Sequence, residues 1–200
     1  MLKLYDRETS GNAYKIRLLL SFLDIPHERI PVSIKDGRNQ VDDAYLKLNP
    51  RGQIPTIQED EFSLWGSTAI LCYLASRYDK TACWLPRDPA QFGQVMQWLE
   101  LAQNEIQTGL FRARAIVHLG LPGDLEAAHQ AAGQALGVLE SRLGAAQWLA
   151  GSAPTIADIA CFPYVALAEE GRVDTSQYVG VCRWIADFKA LERFVGMPGI

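Results

Sequence analysis

The stretch LNPRGQIPTIQEDEFSLWGSTAILCYL (48–74) decides how the first part of the chain folds. Its runs at 54–58 and 61–64 are short and rich in strand-forming residues. So little chain separates them that they must pair as an antiparallel hairpin. The next run, 67–78, has helical periodicity and predicts a helix, with Ser67 as its N-cap. Ile54-Pro55 opens the first strand, where a proline cannot donate to the ladder. One reason to tolerate it is a cis peptide that turns the Ile54 N–H and C=O outward, toward an extended ligand. An ordinary edge-strand proline is the alternative.

Upstream, LKLY (2–5) reads as a strand, GNAYKIRLLLSFL (11–23) as a helix and HERIPV (27–32) as a strand, with a helix near 40–48. Two strands joined by a helix form a right-handed parallel unit. The order βαβ, α, ββα is the thioredoxin-like layout, an α+β arrangement over 1–78. Downstream, DKTACWLPRDPA (79–90) has two prolines and no period, so 79–88 is the expected linker. The rest, 89–200, reads as helix throughout. Phe92, Val95, Leu99, Ala102, Ile106, Leu110, Ala113 and Val117 recur at steps of three and four, which predicts one amphipathic helix of roughly 28 residues. A second helix spans 125–143, and two more follow Thr155 and cover 178–192.

Composition narrows the function. The chain has 200 residues, 48% hydrophobic and 21% charged, the balance of a globular protein with a core. It lacks an apolar run long enough for a membrane span. A net charge of -4 without basic clusters argues against nucleic-acid or anionic-membrane partners. The charged N-terminal residues Lys3, Asp6, Arg7 and Glu8 leave no secretory segment, so a cytoplasmic location is expected. Cys72, Cys83, Cys161 and Cys182 are far apart and fit reduced thiols, with those at 72, 161 and 182 expected in the core. His27, His118 and His129 sit at no metal-ligand spacing, and no metal is expected.

Three features could carry chemistry. Ser10 or Asn12 falls where the first strand ends and the first helix begins, a position for a helix cap or for holding an anion or thiolate. Ser67 opens a second helix whose free N–H groups would welcome a carboxylate. With the Ile54 backbone they outline a groove for a small anionic peptide bearing a thiol at one end and a carboxylate at the other. At this point the chain resembles the glutathione S-transferases. The resemblance rests on SGNAYKIRLLL (10–20), NPRGQIPTI (49–57), the helix opening at Ser67, and LAGSAPTIADIACFPY (149–164). In the last, Thr155 and Asp158 match a capping box with Asp in place of Glu.

The resemblance implies the cytosolic glutathione transferase fold, with glutathione as co-substrate, a small hydrophobic electrophile and a homodimer. By resemblance, Ser10 and Asn12 activate the thiol, Ile54 pairs with the cysteinyl unit, Pro55 is the cis proline and Ser67 holds the γ-glutamyl carboxylate. Gln53 is a further contact, and Arg38, Arg51 or Lys35 could reach the glycyl carboxylate. Family members usually carry an acid or amide before this serine. Here Gly66 stands there, which removes a contact to the ligand's ammonium worth roughly 1.5–3 kcal/mol. Phe111, Arg112, Arg114 and Tyr164 could line the electrophile pocket, or the Phe could be core and the arginines solvated. A glutathione-dependent disulfide or peroxide reductase and a non-catalytic adaptor are the alternatives.

Overall fold

The computed structural model describes residues 1–35, 38–39 and 41–200, with side chains excluded at 34, 35, 38 and 39. The chain starts with β1 (Leu2–Asp6), α1 (Gly11–Phe22) and β2 (His27–Pro31), the last parallel to β1. A two-stranded hairpin follows, β3 (Ile34–Lys35) and β4 (Arg38–Asn39), which the sequence reading did not anticipate because each strand is two residues long. Then come α2 (Asp43–Leu48), β5 (Thr56–Glu59), β6 (Phe62–Trp65) and α3 (Ser67–Tyr78). The main sheet has the order β2-β1-β5-β6, with β5 antiparallel to both neighbours. The hairpin is as expected, but β5 starts at Thr56, so Ile54-Pro55 precedes the strand instead of opening it.

Helix α1 has the sheet on one side, and it packs against α3 and against a helix of the second part of the chain. Nine of its twelve residues are buried, including Lys15 and Arg17. Arg17 is explained by Asp6, whose buried carboxylate accepts from Arg17 Nη1 at 2.6 Å and Arg29 Nε at 2.7 Å. Arg17 also donates to the Arg7 and Glu8 carbonyls, which ties the β1–α1 loop to the helix.

The second part comprises α4 (Pro89–Gln103), a π-helical turn (Gln107–Phe111), α5 (Arg112–Val117), α6 (Leu125–Leu143), α7 (Ile156–Ala166), a 3-10 turn (Ala168–Gly171) and α8 (Val179–Lys189). The single long helix expected from the periodicity is broken at Asn104, whose φ and ψ of -102° and -91° are not helical. The Thr108 hydroxyl donates to the Asn104 carbonyl there, and the wider π turn follows. Gly109 in that turn approaches the α6 backbone so closely that a Cβ would lie 2.3 Å from Ala132 N. Heptad-like spacing survives such a break, which is why the sequence did not reveal it.

Helix α7 is the hub of the helical part. Thr155 caps it through Ala157 N at 3.2 Å, and Asp158 returns the bond to Thr155 N at 2.9 Å. Asp158 also accepts from Leu149 N and Trp184 Nε1, both at 3.0 Å. Burial pushes its carboxyl up to about 6 against the pull of these bonds. Cys161 is buried as expected and Cys72 is half-buried, but Cys182 is exposed, its thiol donating to the Thr175 carbonyl.

Candidate functional site

Two helix N-termini meet at one end of the sheet. Ser10 caps α1, its Oγ accepting from Ala13 N at 3.2 Å, and it is nearly buried. With that oxygen accepting an amide, its O–H remains available to donate to a ligand. Asn12 lies in the first turn, and its Oδ1 accepts from the Ser67 hydroxyl at 3.4 Å. Ser67 is buried at the start of α3. It is the first helical residue and not the cap: Gly66 holds the cap position, without a side-chain bond, at φ +88°. That backbone conformation favours glycine, so Gly66 has a conformational reason beside the lost side chain. A Cβ at this position would meet nothing within 4 Å.

The Ile54-Pro55 bond is cis. The residues around it are pinned from α2. The Tyr45 hydroxyl and Asn49 Nδ2 both donate to the Gln53 carbonyl, and Asn49 Nδ2 also donates to Thr56 Oγ1 at 3.0 Å. Among the described residues, the Ile54 N–H and C=O find no partner. The Gln53 side chain is exposed at this edge. Arg51 is exposed, its guanidinium 5.4 Å from the centre of the Trp65 ring next to Gly66. The side chains of Lys35 and Arg38 lie outside the described residues.

From the helical part, Gln103 Nε2 on α4 donates to Thr68 Oγ1 on α3 at 2.8 Å. Phe111 is half-buried, its ring centre 5.1 Å from that of Tyr164 on α7. Tyr164 reaches further than a pocket wall. Its ring lies against Gly11, where a Cβ would sit 2.6 Å from Cε1 and 2.9 Å from Cζ, so its hydroxyl end reaches the start of α1. Burial raises its pKa above the ordinary phenol value, opposed by Arg114, by the nearby Asn12 amide and by Arg7. Arg114 is not a solvated side chain. It is buried, pairs with Glu170 at 2.5 Å and donates to the Thr9 carbonyl at 3.3 Å. Arg112 donates to the Pro122 carbonyl. Both arginines are thus engaged with the protein.

Ser10, Asn12, Ile54 and Ser67 therefore lie at one end of the sheet, with the Tyr164 ring packed on Gly11 from α7. Gln103, Lys15 and Glu170 were missed by sequence reasoning because nothing local marks them; each takes its place through another element. Two cavities, of about 910 Å³ beside Trp98 and Gly137 and about 760 Å³ beside Arg29 and Arg193, lie elsewhere. The candidate site is marked by the convergence of free N–H groups and hydroxyls. What such a junction can do is hold anions: a sulfur anion at Ser10, a carboxylate at Ser67 and an extended backbone at Ile54.

Comparison with known proteins agrees with this arrangement. The glutathione S-transferase N-terminal domain family matches residues 4–82, and the C-terminal domain family matches residues 122–196. A glutathione S-transferase structure from Pseudomonas fluorescens Pf-5 is 35% identical, with a TM-score of 0.90 over 98% of each chain. The maleylacetoacetate isomerase of Pseudomonas aeruginosa is 32% identical, covering 94% of this chain and 91% of that protein. The disulfide-bond oxidoreductase YfcG of Escherichia coli K12 is 29% identical, covering 92% and 88%. A thioredoxin-like sheet whose α1 and α3 N-termini meet beneath a helical domain, matched in sequence across both parts, places this chain in the glutathione S-transferase family.

Proposed function

We propose that the chain is a glutathione transferase that stabilises the glutathione thiolate for attack on a small hydrophobic electrophile. The observation that carries this reading is the junction of Ser10, Asn12 and Ser67 beside the unpaired Ile54 backbone. In this reading the γ-glutamyl carboxylate meets the first N–H groups of α3 and the Ser67 hydroxyl. The cysteinyl unit pairs with Ile54, and the sulfur rests at the start of α1. Gln53 and one of Arg38, Arg51 or Lys35 complete the peptide site.

Ser10 acts as a donor. A thiol of pKa ~8.5 is only a few per cent thiolate at neutral pH. Lowering that by about two units takes ~2.7 kcal/mol. A charge-assisted hydrogen bond supplies roughly 1.5–3 kcal/mol and a helix N-terminus ~0.3–2. The two suffice without a general base, and the thiol proton leaves to solvent. The sulfur lone pair then forms the new S–C bond while the leaving group departs with its electron pair. Phe111, half-buried beside the Tyr164 ring, stands on the electrophile side. The division into a glutathione domain (1–78), a linker (79–88) and a helical substrate domain (89–200) follows the same reading.

This reading expects a homodimer in a cytoplasmic enzyme. A second reading is glutathione-dependent disulfide reduction, favoured by the likeness to YfcG. Calorimetric titration with reduced glutathione tests both, alongside a Ser10→Ala variant in which the bound thiol's pKa is followed by thiolate absorbance. Binding at millimolar affinity or better, with a depressed pKa that rises in the variant, is expected. Turnover of an aryl halide then marks the transferase, and turnover of a mixed disulfide alone marks the reductase. No binding overturns both in favour of a non-catalytic adaptor.

A further inference from the structure

Lys15 is fully buried, and its Nζ finds no hydrogen-bond partner among the described residues. Such a charge is costly in a protein interior unless something compensates it. It sits one turn into α1, and helix side chains lean toward the N-terminus. Its ammonium lies 5.3 Å from the centre of the Tyr164 ring, the same ring whose Cζ end packs on Gly11 at the start of α1. A cation over the ring face draws electron density from Tyr164. It therefore makes its O–H a stronger donor.

We propose that Lys15 is a positioning residue for a sulfur anion at the α1 N-terminus, its buried charge acting through Tyr164 to stabilise the thiolate. The inference deepens the glutathione reading and rests on it for the identity of the thiol. Among the described residues, Cys161 and Tyr164 face Lys15 from α7, and the charges of Arg7 and Arg114 act on Tyr164, the latter paired with Glu170. Burial keeps the Cys161 thiol protonated, so it is not the countercharge. The anion that Lys15 lacks is supplied by the ligand's sulfur.

The test needs no glutathione. Ser10→Cys, in a background with Cys83→Ser and Cys182→Ser, puts a reporter thiol at the cap, and its pKa is read from the pH dependence of alkylation. Adding Lys15→Met should raise that pKa by about one unit, a roughly tenfold loss of thiolate at neutral pH. Lys15→Gln serves as a second variant should methionine disturb folding. Adding Tyr164→Phe should shrink the Lys15 effect, because the charge would lose its intermediary. A reporter pKa unmoved by either Lys15 variant overturns the proposal, as does a Lys15 effect undiminished in Tyr164→Phe. Failure of the wild type to bind glutathione would instead overturn the functional reading while the reporter result stood.

Discussion

Replacing Lys15 by methionine should make the protein more stable. Burial lowers the Lys15 pKa from the ordinary 10.5 to about 8. A shift of that size corresponds to about 3 kcal/mol at 1.36 kcal/mol per unit, the amount by which the charged amine opposes folding at neutral pH. Between pH 8 and 10.5 the unfolded chain keeps this proton while the folded chain has released it. Stability from Lys15 alone therefore rises with pH across that window, and below pH 8 the full penalty is present. Methionine has a similar unbranched stem, so contact with the Tyr164 ring is retained while the charge is removed. Urea denaturation at pH 7 should show a gain of about 3 kcal/mol, or a rise in melting temperature of ~6–12 °C at about 2–4 °C per kcal/mol for a chain of this size. The gain should fade as the pH is raised toward 10.5. A methionine variant less stable than the wild type at pH 7, or a gain that does not change with pH, would refute the reasoning. A gain in stability with a loss of thiolate is the pattern of a residue kept for function.

Three further outcomes follow from the geometry. Asp158→Ala orphans the buried donors of Leu149, Thr155 and Trp184 and should cost about 3 kcal/mol or more by urea denaturation; a loss below about 1 kcal/mol would remove Asp158 from its place as the α7 hub. Gly109→Ala drives a Cβ into the α6 backbone at Ala132, and a drop of ~1–3 kcal/mol is expected, with a neutral result showing that the two helices do not approach so closely. Gly66→Glu enters open space at a positive φ; calorimetry should show glutathione binding about tenfold tighter, at a stability cost of about 1 kcal/mol, and unchanged affinity would mean that the ligand's ammonium does not lie there.

Much of this protein was legible in one dimension. Local rules set the hairpin at 56–65, since two strand-forming runs separated by two residues have no other way to pair. The caps at Ser10 and Thr155 were legible for the same reason: a side-chain oxygen bonding an amide two or three residues on is a local event. Motifs at Ser10, Ile54-Pro55 and Ser67 pointed to the candidate site because each lies at the end of an element, and ends of elements carry free backbone groups. The exceptions are physical. Ser67 proved to follow the cap because a glycine at positive φ can take that place with no side-chain bond. The break at Asn104 was hidden because apolar spacing persists through a π turn, and what calls for small residues there is the approach of α6. Lys15 reads as the polar side of an amphipathic helix, but α1 is enclosed by the sheet, α3 and α7, so that side is interior. Arg114 and Tyr164 looked like pocket residues, yet they cross to the first part of the chain, at Thr9 and Gly11. Sequence alone determined which elements form and where their termini fall, because those depend on neighbours within a few residues. Only the tertiary structure decided which charges are buried and what they face, because burial depends on the packing of segments more than a hundred residues apart.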